Sequence, residues 1–143
     1  MSAALSLLGF YAWWGARLRR PRWAMAAIGI AAIGLVCDLF AESLYIAWLP
    51  ANIEVLQPLA ALLTSGAANA LYTAGGVVLT LATPWRSRWM RALAWGAWTA
   101  GAVLTLAALV GSVAGMAAGG AALIALFCPL AAWMGYDQRW RRI

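Results

Sequence analysis

The chain is written as long apolar runs broken by short polar ones. A helix that crosses a bilayer needs about 20 mostly apolar residues for a core of about 30 Å. The first such run covers 23–49 and ends at Pro50, Ala51 and Asn52. A polar stretch, Ala51–Gln57, carries Glu54 and leads to a second run over 58–82. Pro58 opens that run, where the missing N–H of a proline costs nothing. Thr83 and Pro84 close it, and the segment from Trp85 to Arg91 is basic, with tryptophans between its arginines. From Ala92 to Met134 there are 43 residues without a charge. As one helix they would measure about 65 Å, twice a membrane, so this stretch must fold back. The Gly-rich segment Gly111–Gly120 is the expected turn, giving spans over 92–112 and 117–134.

The fold expected from this pattern is all-α: an integral membrane four-helix bundle occupying 23–143. Residues 1–22 stand apart as an N-terminal segment. Ser2–Ala16 is apolar but only about 22 Å long as a helix. It lacks the basic start of a signal peptide. The reading expects it to lie in the membrane interface, with a short fifth span as the alternative.

Composition agrees. Of 143 residues, 66% are hydrophobic and 10% charged, where soluble domains run at about 45–50% and about 25%. Mean hydropathy is +0.83. The lipid bilayer is therefore the first partner expected. The net charge of +6 does not point to nucleic acid, because the basic residues form short clusters between apolar runs and make no phosphate-tracking face. All ten are Arg. Arg17, Arg19, Arg20 and Arg22 precede the first span, Arg86, Arg88 and Arg91 follow the second, and Arg139, Arg141 and Arg142 follow the fourth. Four spans put every one of them on one side, which the positive-inside rule makes cytoplasmic. Arg-rich, Lys-free usage suggests a bacterial inner membrane, with the C-terminus inside. Trp13, Trp14, Trp23, Trp85, Trp89, Trp133 and Trp140 fall near the proposed boundaries, as an aromatic belt would.

Much chemistry is ruled out. There is no His, so the usual Zn, Fe and Cu ligand sets and the Ser-His-Asp triad are missing. No P-loop or dinucleotide fingerprint occurs, and neither a metal nor an organic cofactor is expected. Cys37 and Cys128 read as small buried apolar residues. Gly75 with Gly76, and Gly119 with Gly120, read as packing or turn positions. Gly111, Gly115 and Gly119 recur every four residues, a spacing that suits close helix contact and makes a homo-oligomer a candidate.

What remains is a pair of carboxylates inside the first span. Asp38 and Glu42 are four residues apart, so they share a helix face, and Tyr45 continues it. Centring the span on Val36 puts Asp38 near mid-bilayer. A charge there costs at least about 2.5–3.5 kcal/mol, and two like charges a turn apart add repulsion. At least one of the pair is expected to hold a proton at neutral pH. Counting inward from the shared outer ends of the first two spans sets Asp38 level with Asn69 and Glu42 level with Ser65, with Tyr72 and Thr73 a turn deeper. Asp38, Glu42, Tyr45, Ser65, Asn69, Tyr72 and Thr73 are thus expected to form one ligand-binding cluster. Helix-to-helix bonding by buried polar groups is the competing reading, at about 0.6 kcal/mol per contact.

The segment from Asp38 to Tyr45, with its acids at 38 and 42, resembles the acid-bearing helix of the emopamil-binding and sigma-2-receptor group. That resemblance implies a small helical bundle holding an amine or sterol-like ligand over intramembrane acids. It covers one helix of four, and the His used by the sterol isomerases of that group has no counterpart here. The leading functional expectation is a non-enzymatic protein that binds or passes a cation, a proton or an amphipathic amine. The alternatives are an enzyme using the two carboxylates as acid and base on a lipid-like substrate, and an accessory subunit of a larger membrane complex.

Overall fold

The computed structural model describes residues 2–19, 21–47 and 53–136. Regular structure among them is all helical: α1 (Ser2–Gly15), α2 (Pro21–Ala47), α3 (Ile53–Ala61), a π-helical segment (Leu62–Ala68), α4 (Asn69–Ala82), α5 (Arg88–Leu109) and α6 (Val113–Tyr136). From α3 through the π segment to α4 the backbone runs on as one rod. Four helices are long and apolar enough to cross a membrane: Pro21–Ala47, Leu56–Ala82, Arg88–Leu109 and Val113–Tyr136. The membrane-bundle expectation holds, with boundaries a few residues from those read in the sequence.

Local chemistry explains the ends. Pro21 opens α2, where a proline loses no bond. Thr83 turns extended ahead of Pro84, ending α4. The Ser87 hydroxyl caps α5 by accepting the Met90 N–H at 3.4 Å. The turn from α5 to α6 is tighter than the glycine-rich stretch suggested. Gly111 alone makes it, at φ +69°, a left-handed conformation that glycine adopts without a steric penalty. Ser112 then accepts the Gly115 N–H at 3.1 Å. Gly115 and Gly119 lie inside α6 and bring it against α5. A Cβ on Gly119 would stand 3.0 Å from the Leu104 backbone. Their four-residue spacing is used within the chain.

The N-terminal helix, expected at the interface or as a short fifth span, packs against the bundle. Tyr11 and Trp14 of α1 are fully buried. The Tyr11 hydroxyl donates to the Tyr72 carbonyl at 2.7 Å, and Trp14 Nε1 donates to Thr83 Oγ1 at 2.9 Å. Their rings meet those of other helices edge-on: Phe10 on Phe127 at 5.2 Å, Tyr11 on Trp98 at 6.2 Å and Trp14 on Trp85 at 5.8 Å. Trp98 itself is buried, with Nε1 donating to Thr80 Oγ1 at 2.7 Å. At about 21 Å, α1 is shorter than a bilayer core, so this aromatic knot binds one half of the bundle. Trp14 thus leaves the expected aromatic belt for the core, while Trp23, Trp89 and Trp133 stay exposed.

Those contacts also fix the ends. Trp14 touching Thr83 and Trp85 brings the end of α1, the start of α2 and the α4–α5 link together. Arg17, Arg19, Arg22, Arg86, Arg88 and Arg91 therefore share one end of the molecule. The α5–α6 turn, at the other end, carries no Arg. Arg20, Arg139, Arg141, Arg142, Trp140 and the expected end of the first span at Pro50, Ala51 and Asn52 lie outside the described residues.

Candidate functional site

On α2 the buried residues are small: Ala27, Ala31, Gly34 and Ala41. Their spacing draws one stripe, and Asp38 sits within it. Small side chains let two helix backbones approach, and α2 meets α4 closely here. A Cβ on Gly34 would lie 2.9 Å from Tyr72 Cε1 and 3.1 Å from the Ala68 carbonyl oxygen. The Tyr72 ring therefore rests on Gly34. Side chains on a helix lean toward its N-terminus, which carries the Tyr72 hydroxyl on to Asp38. It donates to Oδ2 at 2.7 Å. Because the Tyr72 carbonyl accepts from Tyr11, Tyr72 ties α1 and α2 to α4.

Glu42 lies one turn further along α2, half-buried like Asp38, while Tyr45 is exposed at 38%. Ser65 is half-buried in the π segment. Neither Tyr45 nor Ser65 hydrogen-bonds to the acidic pair among the described residues.

Asn69 and Thr73 belong elsewhere. Asn69 is buried, and its Nδ2 donates to the Gly101 carbonyl at 2.6 Å and to Thr105 Oγ1 at 2.9 Å. Thr105 Oγ1 donates in turn to the same carbonyl at 3.1 Å. Thr73 packs on Gly101, with its Oγ1 where a Cβ would be. These groups face α5. The expected single cluster is thus two: Asp38 with Tyr72 between α2 and α4, and Asn69 with Thr73, Gly101 and Thr105 between α4 and α5. Two physical effects separate them. Asn69 and Thr73, four residues apart, share a face, while Tyr72 is turned about 100° from Thr73. Depth counting also assumed an unbroken α-helix, and the π segment inserts an extra residue into the turn just before Asn69.

The two clusters differ in charge. Around Asn69 neutral groups bond to one another, and Asn69 itself is buried. At Asp38 a half-buried carboxylate has one neutral donor. No described Arg is near in sequence along α2: Arg22 is 16 residues back, about 24 Å down the helix. A carboxylate inside a membrane becomes cheap when it gains a proton or a cation. Among the described residues, no three His, Cys, Asp or Glu side chains gather as a metal site. Both cysteines are free thiols.

Thr105 was visible in the sequence as one of few polar residues in the third span, without its partner. Tyr11 was not, because its segment read as interfacial. Comparison with protein-family models, curated proteins and solved structures finds no match to this chain. The functional argument therefore rests on the site alone.

Proposed function

We propose that the protein binds a cation, a proton or an amphipathic amine at Asp38, with Glu42 as the second carboxylate, and that this exchange is its function in the membrane. One observation carries the reading: Asp38 lies within a spanning helix, half-buried, and holds a single 2.7 Å bond from the Tyr72 hydroxyl. A neutral phenol orients a carboxylate without cancelling its charge. Asp38 carries further lone pairs that can accept from a protonated amine or take up a proton. The contrast with Asn69 supports the same reading, because helix-to-helix bonding is already supplied there by neutral groups. The positive-inside rule adds the orientation: the Arg-bearing end faces the cytoplasm, and Asp38 lies toward the opposite end of α2.

The test is difference infrared spectroscopy of the purified protein in detergent. The carboxyl stretch is followed across pH, with and without a panel of amines and metal cations. We expect a carboxyl band that responds to pH and shifts with one ligand class. The response should vanish in Asp38→Asn with Glu42→Gln while the helical circular dichroism stays unchanged. A carboxyl band indifferent to both pH and every ligand would sink the proposal and leave the pair as a packing contact.

A further inference from the structure

A second site lies at the Arg-bearing end, away from the carboxylates. The last two turns of α1 and the last two of α6 diverge there, leaving an open cleft of about 670 Å³. That volume falls in the usual range for ligand sites, about 300–1,000 Å³. Its walls differ. Phe10, Ala131 and Met134 line it with apolar surface, and Trp13 and Arg17 give it a polar edge.

Arg17 is held in place. One terminal nitrogen donates to the Trp13 carbonyl at 2.7 Å. The guanidinium carbon lies 3.8 Å from the Trp13 ring centroid. A guanidinium stacked on an indole keeps its N–H groups in its own plane, directed at whatever lies beside it. Arg17 lines the cleft, and a charged acceptor suits its terminal donors best, because bidentate pairing with phosphate matches the guanidinium fork. An acceptor at the membrane interface, attached to hydrocarbon that can lie along Phe10 and Met134, describes a phospholipid. Basic pockets between membrane helices on the positive side take anionic headgroups, and this cleft lies at the end of the molecule that carries Arg19 and Arg22.

We infer that the α1–α6 cleft binds one anionic phospholipid, with its phosphate on Arg17 and one acyl chain along Phe10, Ala131 and Met134. Gly135 lines the same cleft, and a Cβ there would meet nothing within 4 Å. A larger side chain at Gly135 can thus block the cleft without colliding with the protein's own atoms.

The experiment uses the full chain in a neutral detergent, titrated with phosphatidylglycerol, with phosphatidylcholine of the same acyl chains, and with inorganic phosphate. Native mass spectrometry counts retained lipid, and thermal unfolding reports stabilisation. The wild type should retain phosphatidylglycerol over phosphatidylcholine by about fivefold or more, the worth of one basic residue at an anionic surface. Arg17→Gln should erase that preference while still retaining some of either lipid. Gly135→Leu should lose both lipids and keep its fold, so the proposal stays testable if Arg17→Gln does not fold. Inorganic phosphate alone should not stabilise. Equal retention of the two lipids by the wild type would overturn the inference, as would an unchanged preference in Arg17→Gln, undiminished lipid retention in Gly135→Leu, or stabilisation by phosphate without a chain.

Discussion

At the scale of single residues, the informative contrast is between Tyr72 and Asn69, three positions apart on one rod. Each makes a bond across to another helix, in different directions and to different effect. Tyr72 orients a charge-bearing group, and Asn69 closes a neutral network with Gly101 and Thr105. Asn69→Ala should therefore lower stability by about 0.6–1.7 kcal/mol, the span measured for membrane hydrogen bonds. It should leave the infrared response of Asp38 intact. Tyr72→Phe should do the reverse: a small change in stability, and a carboxyl band displaced from its wild-type position. Unfolding in mixed detergent micelles and the same infrared measurement check both. If Asn69→Ala altered the carboxyl band as much as Tyr72→Phe, the two clusters would be one. The residues of the candidate site were legible in the sequence because acids stand out in an apolar helix. Their partners were not, since which way a side chain leans and where a π turn falls leave no mark in hydropathy.

At the scale of elements, the four spans were legible for the opposite reason. Length and the absence of charge decide them, and both can be read directly. Packing is harder, because nearly every position is apolar and an apolar side chain facing lipid reads like one facing protein. Trp14 and Trp98 look alike in the sequence to Trp89, yet the first two are core and the third is exposed at 81%. Helix contacts are instead set by glycine. Gly75 faces the Ala27 carbonyl, and Gly76 lies flat against the Trp98 ring. Gly76→Ala would push a methyl into that ring, and overpacking of this kind costs about 1–3 kcal/mol. We expect a lowered midpoint in micellar unfolding, partly restored when Trp98→Leu is added. No recovery in the double variant would mean that the ring is not the obstacle.

At the scale of the whole molecule, the distribution of Arg is the clearest signal, and the structure gathers the six described Arg at one end. The bundle is therefore expected to sit in the membrane in one orientation only. Cysteine labelling checks this in a background with Cys37→Ala and Cys128→Ala. A membrane-impermeant thiol reagent added from outside should modify Ser112→Cys, in the α5–α6 turn, and spare Ser87→Cys, in the Arg-bearing link. Labelling of both would indicate dual insertion, and the reverse pattern would invert the topology. The placement of α1 was beyond reach in the sequence, since a 14-residue apolar helix satisfies an interface and a bundle equally well. Its rings, meeting Phe127, Trp98 and Trp85, are what pack it on the bundle.

The half-length of α1 gives the bundle the mechanics of tweezers. At the Arg-bearing end, α1 is riveted to α4, α5 and α6 by edge-on rings and side-chain hydrogen bonds. Beyond the reach of α1, the last turn of α2 from Tyr45 to Ala47 is exposed. Stability is unevenly spread in such an arrangement, and the thinly packed part opens first. Thermal motion should loosen α2 against the α3–α4 rod toward the end that α1 does not reach, within the limit set by the five residues that join them, with the knot as the pivot. Asp38 and Glu42 sit beyond the pivot, on that looser stretch of α2. A helix too short to cross the membrane would then be what decides which side of it the carboxylates can meet.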